Sequence, residues 1–233
     1  MDTPNYKMYF CKKITTMKKT VLSFASVLLI TSCSSNDEAK QSTQNTQQQE
    51  EQRYDEALAD KLNVFQPLEI TDTLNPALVK LGHHLYFDNQ LSRKQTMSCN
   101  TCHNLSTFGV DNQPTSKGEE GKFGDRNSPT TLNAAIHIAQ FWDGRAATVE
   151  EQAGMPILNP IEMNIPNEKF LIDRLKKSSL YQQLFKEAFP NEKDPITYNN
   201  LKKAIGAFER KLITPSRFDE YLKGNKTALS IEE

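Results

Sequence analysis

The sequence predicts an all-α fold with long irregular loops. Apolar residues recur at helical spacing through the second half of the chain, and no run alternates as a half-buried strand would. A tight Cys–Cys–His string also sits in a polar loop between helical segments. Ala57, Leu58, Leu62 and Phe65 mark a first helix, and Pro76 opens a second whose stripe is Leu78, Leu81 and Leu85. Further helices are expected from Thr130 to about Ala139 and from Thr148 to Met155. Phe170, Leu171 and Leu175 mark the next. Leu180, Leu184, Phe185 and Phe189 mark another, which Pro190 ends. The longest is expected from Ile196 to Ile213, with Leu201, Ile205, Phe208 and Leu212 on one face.

The N-terminal part has a different composition. Lys18 and Lys19 precede the apolar run Val21 to Ile30, which has the length of a signal-peptide core and is too short to span a bilayer stably. Leu29-Ile30-Thr31-Ser32-Cys33 resembles a bacterial lipoprotein box, so residues 1–32 are expected to be removed and Cys33 lipidated. An ordinary signal peptide with an incidental cysteine is the plainer alternative. Met17 reads as a better start than Met1, because residues 1–16 add nothing a signal needs. Residues 33–53 carry six glutamines between Gln41 and Gln52 and almost no apolar residue, which reads as a flexible tether. A folded domain is expected over residues 54–233, on the periplasmic side of the envelope and anchored by its lipid.

The whole chain of 233 residues has a net charge of −1. Loss of residues 1–32 removes Lys7, Lys12, Lys13, Lys18, Lys19 and Asp2 and leaves −5. Such a chain has no electrostatic footprint for nucleic acid.

Cys99-Asn100-Thr101-Cys102-His103 is a C-x-x-C-H string, the attachment site of a c-type haem. Two thiols three residues apart share one face of a helical turn, so both can bond one porphyrin, and His103 is carried to the iron. A redox dithiol would follow a strand, whereas this motif follows the polar loop Leu91 to Thr96. Structural zinc would need a second Cys/His pair, and no cysteine follows Cys102. One covalent haem c is therefore expected, bound by Cys99 and Cys102, with His103 on the iron.

Further strings extend the pattern: Leu81-Gly82-His83-His84-Leu85-Tyr86-Phe87-Asp88, Leu91-Ser92, Arg126-Asn127-Ser128-Pro129-Thr130, Phe141-Trp142-Asp143-Gly144-Arg145, Glu151-Gln152 and Asn159-Pro160-Ile161-Glu162-Met163. In this order and spacing, from Leu81 to the C-terminus, the chain resembles the bacterial di-haem cytochrome c peroxidases and their methylamine-utilisation maturase relatives. The resemblance implies a cytochrome c-like domain in which hydrogen peroxide is reduced. Electrons would come from a small cytochrome or copper protein through a second haem domain, which must be separate or missing here because the chain has one C-x-x-C-H. It further implies that Gln152 and Glu162 line the peroxide side and that Trp142 lies between the two haems. By the same resemblance, Asn127 is a ligand of an interdomain Ca2+.

The chemistry suits those residues. Splitting the O–O bond requires a proton to move from one peroxide oxygen to the other, and a carboxylate within reach does this as base and then acid. In an apolar pocket the pKa of Glu162 should rise toward neutrality, while Gln152 can hold peroxide without titrating. Many family members carry a blocking histidine where this chain has Glu119, in Ser116 to Gly121, so the peroxide side is expected to be open. His83, His84, His137, Met155 and Met163 are the remaining candidate ligands. A single-haem electron carrier, a haem-based sensor and a maturase-like protein oxidase are the alternative functions.

Overall fold

The computed structural model describes residues 45, 46, 48, 49, 53, 65–69 and 73–230. Two units are separated, Met1–Asp60 and Lys61–Glu233. The described residues of the first are helical. The signal segment, Cys33, most of the tether, and Ala57, Leu58 and Leu62 of the expected first helix lie outside the described residues. Phe65 is described and is 53% exposed in irregular chain, so it anchors no helix. Among the described residues there are no strands, only two isolated bridges, Lys117 with Phe123 and Gln140 with Ala146. None of their helices is long and apolar enough to cross a membrane.

The second unit holds α1 (Pro76–Phe87), α2 (Cys99–Cys102), α3 (Val149–Leu158), α4 (Glu168–Leu175), α5 (Ser179–Ala188), α6 (Tyr198–Glu209) and α7 (Arg217–Leu222). Side-chain oxygens fix where most of the longer ones begin. Asn75, Thr148, Asn167, Ser178 and Thr197 each accept a hydrogen bond from a backbone N–H of the first turn of α1, α3, α4, α5 and α6.

The core forms where α1 crosses α6. Leu81 and Leu85 meet Leu201, Ala204, Ile205 and Phe208, and the Tyr86 and Phe208 rings pack 5.2 Å apart. Gly82 makes the close approach possible: a Cβ there would stand 1.8 Å from the Ala204 carbonyl oxygen. Helix α3 adds Ala153 and Ile157, and α5 adds Tyr181, Leu184 and Phe185. Truncating a side chain as buried as Leu201 to alanine costs about 2–5 kcal/mol in such a core.

Three expectations are corrected. Residues 130–139 form only a short 3-10 turn, Ala134–Ile136. Their backbone donors are spent elsewhere: Thr131 N–H goes to the Gly109 carbonyl and Asn133 N–H to Leu212, with Asn133 at φ +60°. The helix expected over Ile196 to Ile213 is shorter: the Thr197 cap starts it at Tyr198 and it ends at Glu209, so at 12 residues it equals α1. Leu180 is 48% exposed, and Tyr181 takes its place on the buried face of α5.

Candidate functional site

A cavity of about 390 Å3 opens between α2, α3 and the long loop from His103 to Thr148. Cys102, His103, Gln152 and Glu162 all stand on its wall. A narrower inner extension of about 50 Å3 adds Cys99, Met163 and Ile205. Both thiols and His103 therefore face one space, as the spacing on a single helical turn requires.

His103 is held from two sides. Tyr86, fully buried on α1, donates its hydroxyl to the His103 carbonyl at 2.7 Å and lies 3.1 Å from Thr131 Oγ1. The imidazole Nδ1 lies 3.0 Å from the Pro129 carbonyl. A carbonyl can only accept, so Nδ1 carries the hydrogen and Nε2 keeps a lone pair that could bind a metal. Burial lowers the imidazole pKa, which keeps the ring neutral and able to ligate.

The thiols are neutral. Burial pushes Cys99 up to about 12, helped by the nearby Glu209, and also raises Cys102. A redox dithiol needs the opposite shift. Among the described residues no group of three or more His, Cys, Asp or Glu is placed to hold a metal ion. Paired thiols, a tautomer-fixed imidazole and a shared cavity fit a c-type haem.

Three hydrogen bonds hold the Glu162 turn in place. Asn159, the C-cap of α3, donates Nδ2 to Glu162 Oε1 at 2.6 Å. The Glu119 N–H donates to the Glu162 carbonyl at 2.9 Å, and the Arg93 N–H donates to the Met163 carbonyl at 2.9 Å. Gly118 lets the two loops meet, since a Cβ there would fall 1.7 Å from the Ile161 oxygen. Burial raises the Glu162 pKa against the opposing Asn159 hydrogen bond and the Arg145 charge.

Gln152 faces the cavity because its helical neighbours are engaged elsewhere. Glu150 pairs with Arg210 at 2.7 Å, and Glu151 accepts the Ala147 N–H. Pro156, also on the wall, cannot donate to the Gln152 carbonyl.

The mouth is built from strained loop. Phe141 sits at φ +66°, and the Arg145 guanidinium lies 3.5 Å from its ring centroid. Asp143 bridges Arg126 and Arg145 at 2.7 and 2.9 Å. Trp142 is 66% exposed, so it is no core anchor, and its indole N–H donates to the Asn127 carbonyl at 2.9 Å. Asn127 in turn donates Nδ2 to the Gln113 carbonyl.

The Glu119 carboxylate is turned aside, with Oε1 accepting from the Lys94 N–H and the Thr96 hydroxyl. Of the five other candidate ligands only Met163 lines the cavity, in its inner extension; Met97, which sequence reading passed over, lines both parts. His83 instead packs edge-on against Phe208. Glu209 was also passed over. Its signal was a carboxylate in register with the apolar face of α6.

Known proteins share this arrangement of sequence and fold. A model of the family "Di-haem cytochrome c peroxidase" matches residues 76–227. Cytochrome c551 peroxidase of Pseudomonas aeruginosa is 46% identical over 155 residues, covering 66% of this chain and 44% of that protein. Its counterpart in Nitrosomonas europaea is 42% identical over 171 residues, covering 72% and 50%. Methylamine utilization protein MauG of Methylophilus methylotrophus is 35% identical, covering 70% and 48%. The crystal structure of a MauG-like protein associated with microbial copper homeostasis superposes with a TM-score of 0.63 at 29% identity, covering 72% and 49%. The chain thus spans about half the length of these relatives. With the match running from the start of α1 through α7, the chain belongs to the di-haem cytochrome c peroxidase family.

Proposed function

We propose that this chain is the peroxide-reducing haem unit of a cytochrome c peroxidase, taking electrons from a small cytochrome or copper protein. The observation that carries the reading is the convergence of Cys99, Cys102, His103, Gln152 and Glu162 on one cavity. When bound, the haem supplies the iron that takes up hydrogen peroxide and passes it electrons.

Cys99 and Cys102 hold the cofactor covalently, and His103 offers Nε2 to the iron. Glu162, held by Asn159 at the cavity wall, takes the proton from one peroxide oxygen and returns it to the other. Its raised pKa brings the carboxyl closer to working pH, where a group can both accept and release a proton. Gln152 offers an amide that steadies the peroxide without changing charge. Two electrons and two further protons complete reduction to two waters. Trp142, exposed at the mouth, would relay electrons from a second haem domain. Lipidation at Cys33 would tether the unit on the periplasmic side.

A second reading, an electron carrier, rests on the Met97 and Met163 thioethers in the inner cavity, either of which would close the iron. The optical spectrum of the haem-loaded chain, taken with a haem count, separates the two. One haem per chain, high-spin when ferric and reactive with hydrogen peroxide, supports the peroxidase. A low-spin haem inert to peroxide supports the carrier.

A further inference from the structure

Glu209 continues the Leu201–Ile205 row of α6 at the same four-residue spacing, where the pattern calls for an apolar residue. It is 4% exposed. Its Oε2 is sealed from solvent and has no hydrogen-bond partner. The neighbouring cation does not neutralise it, because Arg210 gives Nε and a terminal nitrogen to the two oxygens of Glu150, at 2.7 and 2.9 Å. A buried carboxylate without a partner is costly, whereas a buried carboxylic acid is far less so. Burial accordingly pushes Glu209 up to about 8, with the Glu150 charge acting the same way and Arg210 opposing.

A purely structural acid would be expected to bond something. This one instead stands on the wall of both parts of the cofactor cavity. The titratable groups around it are Tyr86 from α1, Cys99 from α2, Glu150 from α3 and Arg210 beside it, and both Tyr86 and Cys99 sense its charge. His103 senses Asp111 instead. Glu209 is thus close enough to feel a charge change in the cavity, whose wall it shares with Glu162.

An electron delivered to a haem on Cys99 and Cys102 adds one negative charge to a space shielded from water. The neutral acid is then favoured over the carboxylate, and the Glu209 pKa rises further. Resting on the haem reading above, we propose that Glu209 is the proton-accepting partner of haem reduction in this chain. One electron from the external donor arrives together with one proton from solvent, which bonds to the Glu209 carboxylate and leaves the net charge of the cavity unchanged. Below its oxidised-state pKa, Glu209 is already protonated in both states and no uptake occurs. Above that pKa, each reduction takes up a proton, so the reduction potential falls as pH rises.

The test is a spectroelectrochemical titration of the haem-loaded full chain across the pH range around 8, with reduced-minus-oxidised infrared difference spectra. The wild type, Glu209→Gln and Glu162→Gln are compared. The wild type should lose up to about tenfold in its reduction equilibrium constant per pH unit above the Glu209 pKa. Its difference spectrum should gain the carbonyl band of a neutral carboxylic acid and lose carboxylate bands. Glu209→Gln, an isostere of the protonated form, should lose this slope and these bands, and Glu162→Gln should keep both. Equal slopes in wild type and Glu209→Gln overturn the proposal. If Glu209→Gln fails to hold haem, the wild-type infrared spectrum decides alone, and the absence of carboxyl bands overturns it. A wild-type chain that takes up no haem overturns the haem reading and this proposal together, whereas a haem-loaded chain with unchanged slopes overturns this proposal alone.

Discussion

Asn159 donates its Nδ2 hydrogen to Glu162 Oε1 across 2.6 Å, from the C-cap of α3 to the turn that follows. A donor on a carboxylate favours its ionised form, so this bond works against the burial that raises the Glu162 pKa. Removing it in Asn159→Ala should raise that pKa further. If Glu162 is the proposed proton carrier, the reaction with peroxide should slow as pH falls through this pKa, and in the variant the slowing should begin at higher pH. A pH profile of the initial rate checks this, and an unmoved acid limb would assign the titration to another group.

Gly118 should be intolerant of a side chain for a reason that reaches the site. A methyl there meets the Ile161 carbonyl and pushes the Glu162 turn away from the loop that clasps it. Gly118→Ala is expected to slow peroxide turnover at least about tenfold, since small misplacements at a reacting centre are costly. Steady-state turnover with an artificial electron donor, set beside the unchanged haem count, checks it.

Tyr86 links the core to the C-x-x-C-H turn. Tyr86→Phe leaves the His103 carbonyl and Thr131 hydroxyl without that partner inside the protein, at about 1–3 kcal/mol. Denaturant midpoints of the two proteins measure the loss, and an unchanged midpoint would show that water or a shifted hydroxyl replaces the bond.

Arg174 on α4 donates to the carbonyls of Gln90, Ser92 and Arg93, binding together the loop that precedes the motif. Lysine cannot reproduce that planar fork. Arg174→Lys should therefore destabilise the domain by about 1.5–3 kcal/mol, read from thermal or denaturant unfolding. A lysine variant as stable as the wild type would show that charge alone holds the loop.

Local rules made much of this molecule legible. Helices α1, α3, α4, α5 and α6 follow from apolar spacing with a polar cap before each, and C-x-x-C-H places three groups on one cavity by geometry within a single turn. What stayed hidden depends on contacts between distant segments. The 130–139 stretch has apolar residues at plausible spacing, yet Asn133 bonds Leu212 and Thr214, and those partners lie some 80 residues away in sequence. Glu209 was hidden for a related reason. Its position on the helix was readable, but burial without a partner appears only when α1, α2 and α3 close around it. Glu162 stands out only through the family resemblance of the Asn159 to Met163 string, and its raised pKa comes from burial that no local pattern shows.

In the proposed reaction Glu162 moves the proton when hydrogen peroxide meets a haem held at Cys99, Cys102 and His103. Rapid mixing of peroxide with the haem-loaded full chain, wild type against Glu162→Gln, tests it most directly. The rate should be lower by about 10²–10⁴-fold in the variant, with the same haem count and resting spectrum. A variant that reacts as fast as the wild type would contradict it.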